Sequence, residues 1–313
     1  MTQFEPLSHG ITLIDTGFQR PGFDASYLIV ENGRAAFVDS GPNQAVPRLL
    51  AALSAQGLAA DAVDWLILTH VHLDHAGGAG RLMRQLPRAR LAVHARGARH
   101  MVDPSQMMAA VRAVYGDEAV QRDYGELVPV HPGRVTVVED GATLELAGRR
   151  LRFVDTPGHA RHHHCIWDEA SEGIFSGDTL GVAYPELRGE CGHFGIPSTS
   201  PSQFDPEALH RSIGRLLALG PRVAYLSHFG AITRVAEHAD MVLRQADRMV
   251  QIARSLPNGA GRGSRLRQSL ASLYLRELGT AGVNLPRARA AELLANDLEL
   301  NAQGLEAWLA SQR

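Results

Sequence analysis

Between positions 69 and 78 the chain reads Thr69-His70-Val71-His72-Leu73-Asp74-His75-Ala76-Gly77-Gly78, which places three imidazoles and a carboxylate within six residues. The apolar run Trp65 to Leu68 leads directly into it. Residues two apart on an extended chain point the same way, so His70 and His72 can address one ion. Asp74 and His75 fall at the turn into a helix expected to begin near Gly80, where they can address a second ion close by. Imidazole and carboxylate are ligands that suit zinc and iron, and four such groups are hard to hold in a dry core without a cation. The plain alternative is four solvated surface groups.

Three more donors share one local setting. His159 follows the apolar stretch Leu151 to Val154 through Thr156-Pro157-Gly158, Asp178 follows Ile174-Phe175 through Ser176-Gly177, and His228 follows Val223 to Leu226 through Ser227. Each alone reads as an ordinary polar loop residue. With the first four they make seven ligands, about four for each of two ions if Asp178 bridges. Two cations sharing a water lower its pKa from 15.7 toward about 7, so hydroxide becomes available to attack a carbonyl or phosphoryl group. Asp74, near the bridging position, is the candidate catalytic residue, orienting that water or carrying its proton.

These donors need a scaffold that brings strand ends to one edge. Short strands are expected at Ile11 to Ile14, Ala25 to Val30 and Ala35 to Val38, with the Glu31-Asn32-Gly33 turn between the last two. A helix over Ala45 to Ala55 follows, with Val46, Leu49, Leu50 and Leu53 at helical spacing. The order repeats: strands at Val135 to Val138, Thr143 to Leu146, Leu151 to Val154 and Ile174-Phe175, a helix over Pro206 to Leu219, and a strand at Val223 to Leu226. Strands then helix, twice over, predict an α/β fold with two sheets face to face and helices outside, an αββα sandwich. Residues 98–125, carrying Met101, Met107, Met108, Val111 and Val114, read as a helical insertion that is either core or a lid. Amphipathic periodicity after Val235, a Gly/Arg/Ser-rich break at Asn258 to Ser264 and further Ala/Leu/Arg-rich helices define an α-helical appendage. The expected domains are thus 1–235, catalytic, and 236–313, helical.

Composition narrows the partners. A net charge of -2 and a pI near 6.7 offer no overall basic field for a phosphate backbone, so nucleic acid is not expected. The two cysteines, Cys165 and Cys191, read as free thiols. No apolar stretch reaches the roughly 18 residues of a membrane span, and the N-terminus lacks the pattern of a secretory signal, so no membrane partner and a cytoplasmic location are expected. The expected partner is a small-molecule substrate, with a homodimer left open.

The order His70-x-His72-x-Asp74-His75, His159, Asp178, His228 resembles the signature of the metallo-β-lactamase superfamily, over roughly residues 10 to 232. The resemblance implies the αββα metallo-β-lactamase sandwich and assigns His70, His72 and His159 to one metal, Asp74, His75 and His228 to the other, and Asp178 to both. It implies two divalent ions, zinc first, with iron and manganese compatible with the same ligands. Asp39, in Val38-Asp39-Ser40-Gly41, matches the family's buried aspartate behind the ligands, and His163 the place of a supporting histidine; His162 and His164 read as surface or packing residues. His72 stands where flavodiiron relatives carry a carboxylate, which disfavours oxygen or NO reduction. Phe175-Ser176-Gly177-Asp178-Thr179-Leu180 is similar to glyoxalase II-like thioesterases, and the helical tail resembles acyl-thioester hydrolases related to quinolone-signal response proteins. The glutathione-holding basic cluster and tyrosine pair of glyoxalase II are not found. A thioester or activated ester or lactone is therefore the expected substrate. The rival readings are a persulfide dioxygenase with one iron on His70, His159 and Asp178, and a regulator that keeps the site and acts through its tail. Tyr184, His193, Phe194 and Phe229, with Met107 in the insertion, are the candidate substrate contacts.

Overall fold

The computed structural model describes residues 3–190 and 192–312, apart from the side chains of Val114 and Tyr115. Cys191 and the Val114 side chain therefore lie outside the described residues. Cys165 is buried, and its Sγ lies 3.2 Å from the Ser176 carbonyl oxygen.

The chain divides into two compact units that interleave along the sequence, residues 1–155, 162–177 and 222–231 in one and residues 156–161, 178–221 and 232–313 in the other. The first unit contains a seven-stranded sheet in sequential order, β1 (Phe4–Pro6), β2 (Ile11–Asp15), β3 (Ala25–Glu31), β4 (Arg34–Val38), β5 (Val63–Ile67), β6 (Arg90–His94) and β7 (Val135–Val138). β8 (Thr143–Leu146), β9 (Arg149–Asp155), β10 (His164–Asp168) and β11 (Gly173–Gly177) belong to a second sheet. β12 (Arg188–Gly189) and β13 (Gly192–His193) pair separately, and β14 (Val223–Leu226) and β15 (Gly230–Ile232) complete the second sheet in the order β15-β14-β11-β10-β9-β8.

The inner strands β2 to β6 of the first sheet are largely buried on both faces because both are covered, whereas the edge strands β1 and β7 are only partly buried. Along β3, Tyr27 and Ile29 enter one core cluster and Leu28 the other; along β4, Ala36 and Val38 alternate with Ala35 and Phe37 in the same way. The cluster containing Tyr27 also holds Leu151, Phe153, Ile166, Phe175 and Tyr225 of the second sheet, so it is the layer between the sheets. The opposite cluster is roofed by α1 (Val46–Ala55) through Leu49 and Leu53, by α3 (Ala79–Gln85) through Leu82 and Met83, and by Met101 of α4 (Ala95–Val102). Between α1 and α3 lies the one-turn α2 (Leu73–Ala76), part of the histidine segment.

Strand direction sets where the site can form. β4 and β5 are parallel, so the residues after Val38 and Ile67 emerge at one edge. β11 and β14 are parallel, and β9 and β11 are both antiparallel to β10, so β9, β11 and β14 end together as well. Sequence reading missed β1, β6, β10 and the short β12, β13 and β15; β10 opens in the histidine run, whose polarity hides the apolar Cys165-Ile166-Trp167 behind it.

Residues 98–125 are helical, continuing from α4 into α5 (Ser105–Tyr115) and α6 (Asp117–Asp123). Met108, Val120 and Leu127 form a small cluster with Leu73, a neighbour of the ligand candidates His72 and Asp74, and Met107 packs at its margin. Met108→Ala should lower stability by about 2 to 3 kcal/mol, and Met107→Ala, only half-buried, by less than about 1 kcal/mol in urea denaturation. Equal losses would place Met107 in the core as firmly as Met108.

The second unit is mainly helical: α7 (Pro206–Leu217), α8 (Val235–Ser255), α9 (Arg262–Thr280), α10 (Arg287–Leu293) and α11 (Ala295–Ser311). The start of α7 is written in the sequence, with Asp205 accepting the Ala208 amide at 2.9 Å and proline in the first turn. α9 and α11 bury Leu266, Leu270, Leu273 and Tyr274 and Leu305 and Trp308. On α8, His238 is buried and donates through Nε2 to the Leu180 carbonyl at 2.9 Å. Burial pushes its pKa down to about 4, only partly offset by that bond. Unfolding restores a value near about 6.5, so neutral His238 stabilises fully above pH 6.5 and its contribution is lost as pH falls toward 4. His238→Gln should therefore remove about 2 kcal/mol of the loss of stability between about pH 7.5 and 5. Identical acid limbs for wild type and variant would show that His238 is not buried neutral.

No helix among the described residues is long and apolar enough to cross a membrane.

Candidate metal centre

Asp39 organises the histidine segment from behind. It is 1% exposed and accepts the Thr69 amide at 2.8 Å, the Thr69 hydroxyl at 2.8 Å, His75 Nδ1 at 3.1 Å and the Ser227 hydroxyl at 3.0 Å. One carboxylate thus ties together the residues after β4, β5 and β14. His70 is fully buried, with Nδ1 3.1 Å from the Thr69 hydroxyl and Nε2 2.9 Å from Nδ1 of His72. Two ring nitrogens that close need a proton or a cation between them.

A second group forms alongside. Asp24, His75 and His228 each offer a ligand atom, all within 4.8 Å of one another, and all three residues are buried. His228 donates through Nδ1 to the Phe23 carbonyl at 2.8 Å, which turns Nε2 toward Asp74 Oδ2 at 3.6 Å. His75, with Nδ1 on Asp39, holds Nε2 3.7 Å from the same oxygen. Burial would raise the Asp74 carboxyl, but His75, His228 and His72 around it outweigh that and hold it well below the usual carboxylate range. Burial pushes Asp24 up to about 7, against the pull of His228 and His75. Its Oδ2 accepts the Thr16 hydroxyl at 2.7 Å, while Oδ1 has no hydrogen-bond partner among the described residues.

The remaining two donors belong to the second unit. His159 donates through Nδ1 to the Ser198 carbonyl at 3.0 Å and places Nε2 3.6 Å from Asp178 Oδ2, which also accepts the Ser198 hydroxyl at 3.0 Å. Asp178 is the residue after Gly177, the end of β11. Gly177 has φ +49°, and a Cβ there would come within 2.4 Å of His163 Nε2, so only glycine lets β11 end against that ring.

His75, His228 and His159 therefore show one pattern: Nδ1 is spent on a carboxylate or carbonyl, and Nε2 is turned toward a carboxylate oxygen. That is how a protein fixes the neutral tautomer and the aim of an imidazole that binds a cation. Together with an unpartnered buried oxygen on Asp24, it fits these residues to divalent metal.

The sequence profile of the metallo-β-lactamase superfamily matches residues 19–228. The chain belongs to that superfamily. This metallo-β-lactamase superfamily chain is 26% identical over 235 residues to the atrochrysone carboxyl ACP thioesterase of Aspergillus fumigatus, covering 74% of the chain and 59% of that protein. It is 34% identical over 182 residues to a hydroxyacylglutathione hydrolase of Synechococcus, covering 55% of the chain and 54% of the relative. The chain thus spans little more than half the length of these two curated relatives. A metallo-β-lactamase family protein from Thermus thermophilus shares the fold, with a TM-score of 0.68 and 24% identity over 97% of this chain and 94% of that one.

Other residues singled out in this superfamily member are placed as follows. His163 is fully buried, its ring centroid 4.8 Å from that of His70. His162 and His164 are buried too, where a surface position was open to them; the His162 ring lies edge-on to His72 at 5.2 Å, and His164 Nε2 donates to the Leu68 carbonyl at 2.7 Å. Tyr184 is buried and its hydroxyl donates to Asp297 of α11 at 3.0 Å. Phe229 packs in the layer between the sheets, Phe194 is buried, and His193 is half-buried on β13, where desolvation and Arg188 lower its pKa. Asp24 is the residue that sequence reasoning missed. It sits in Gly22-Phe23-Asp24, outside any ligand spacing, and only its burial before β3 sets it apart.

Proposed function

We propose that the chain is a hydrolase of thioesters or other activated esters, acting through two divalent cations, zinc first. The proposed ligands are His70, His72 and His159 for one cation and Asp74, His75 and His228 for the other, with Asp178 shared. The observation that carries the reading is the repeated division of labour in His75, His159 and His228, each with Nδ1 tied back and Nε2 turned to a carboxylate. When bound, a cation pair lowers the pKa of a shared water toward about 7 and draws charge from a substrate carbonyl.

The protein's own residues supply the rest. Asp39 and the Phe23 and Ser198 carbonyls keep the imidazoles neutral at Nε2. Asp74, whose Oδ2 lies 3.7 Å from His75 Nε2 and 3.6 Å from His228 Nε2, can orient a water. Asp24 offers one more buried carboxylate to the group containing His75 and His228. The substrate class is supported by two relatives, one named as an ACP thioesterase and the other as a hydrolase of hydroxyacylglutathione.

The test is elemental analysis of the purified protein together with a screen of acyl thioesters, esters, lactones and phosphodiesters. Two divalent ions per chain with turnover of thioesters is the expected result. One iron per chain with oxygen uptake and no hydrolysis would overturn it.

A further inference from the structure

The C-terminal helices reach the segment beside the ligand pair of the second unit through Asn301. Asn301 of α11 is 2% exposed. Its Oδ1 accepts the Thr199 amide at 2.9 Å and its Nδ2 donates to the Pro197 carbonyl at 2.9 Å. These are the backbone groups on either side of Ser198. An amide side chain that bonds both acts like a neighbouring strand: in an extended segment the carbonyl of residue i−1 and the N–H of residue i+1 share one edge, and the carbonyl of residue i faces the other. The Ser198 carbonyl is accordingly the one that receives His159 Nδ1, and the Ser198 hydroxyl is the one that reaches Asp178.

The grip is itself held. Asn301 Nδ2 also donates to the Tyr274 hydroxyl at 2.8 Å, and the Thr199 hydroxyl donates to the Leu300 carbonyl at 3.2 Å. Gly304, one turn after Asn301, lets α11 approach this segment: a Cβ there would lie 2.2 Å from Thr199 Oγ1. Both N–H donors of the Asn301 amide and its oxygen are thus engaged with fixed partners, so the side chain has little freedom to let Ser198 turn.

We propose that Asn301 is a positioning residue for the metal ligands His159 and Asp178, and that the helical tail is thereby part of the metal site. The inference rests on the dinuclear reading above. It requires that Asn301→Leu, similar in size but without the amide, and Asn301→Asp, which keeps the acceptor and loses the donor, weaken metal binding beyond any effect on folding.

The experiment measures zinc affinity by chelator competition and the melting temperature of the metal-free protein, for wild type, Asn301→Leu, Asn301→Asp and Ser198→Ala. The expected result is affinity lowered about 10- to 100-fold in the Asn301 variants and in the same direction, by less, in Ser198→Ala. A cobalt-substituted Asn301→Asp protein should also show an altered visible spectrum. Wild-type affinity and spectrum in a folded Asn301→Asp, with only the metal-free melting temperature lowered, would overturn the proposal and leave the dinuclear reading standing. A wild type that retains no zinc would remove both. Should Asn301→Leu not fold, Asn301→Asp and Ser198→Ala decide the matter alone.

Discussion

Asp178→Ala should leave a folded protein that retains little of either metal and hydrolyses thioesters on the order of a thousandfold more slowly. In the proposed dinuclear site Asp178 supplies a ligand to both cations at once, so its loss weakens both instead of one. Several kcal/mol of transition-state stabilisation depend on the pair, and about 1.4 kcal/mol corresponds to a tenfold change in rate. Folding should not suffer equally. Without metal, Asp178 is a carboxylate 5% exposed that accepts the Ser198 hydroxyl, with His159 Nε2 3.6 Å away. Removing it takes away a desolvated charge as well as its hydrogen bonds, so the metal-free variant should melt close to the wild type. The clearest readout is the rise in melting temperature on adding zinc, which grows with ligand concentration over Kd for the native state. That rise should be large for the wild type and nearly absent in Asp178→Ala. A variant that keeps the full complement of metal would rule out Asp178 as the shared ligand.

Much of this site was legible because two codes coincide in one stretch. In His70-x-His72-x-Asp74-His75 the spacing of two belongs to an extended chain and the adjacent Asp74-His75 to a turn, and the structure has an extended segment passing into α2 at that point. His159, Asp178 and His228 carry no such spacing. What marked them was the apolar run before each, and those runs are β9, β11 and β14, all ending at one edge of their sheet. Asp24 was illegible because it belongs to no repeat: it comes within reach of His75 and His228 only once β3 lies beside β2 and β4. Asn301 was illegible for a related reason. Its partners are Pro197 and Thr199, about a hundred positions earlier, and on α11 it follows the helical period like any core residue. The tail's helices were readable from their periodicity, whereas its bond to the segment beside His159 was not, because periodicity reports which face is buried and not what that face touches.

Asp39→Ala should cost about 4 kcal/mol in the metal-free protein and weaken zinc binding about 10- to 100-fold, whereas Asp39→Asn should cost much less stability for a similar loss of zinc. The two variants separate two jobs. Asp39 has φ +58°, a left-handed conformation that aspartate and asparagine tolerate better than alanine. Its carboxylate is the acceptor for the Thr69 amide and hydroxyl, the Ser227 hydroxyl and His75 Nδ1. Alanine strands these donors in the interior, each at a cost of about 1 to 3 kcal/mol, and adds backbone strain. Asparagine keeps one carbonyl oxygen for Thr69 and the tolerance of positive φ, but it turns an amide toward donors that needed an acceptor. His75 then loses both the anchor that aims its Nε2 and the negative charge that makes its ring a better ligand. Urea denaturation of the metal-free proteins gives the first quantity and chelator competition the second. If Asp39→Asn binds zinc as tightly as the wild type, the aim of His75 comes from its packing and the carboxylate serves only to join the ends of β4, β5 and β14.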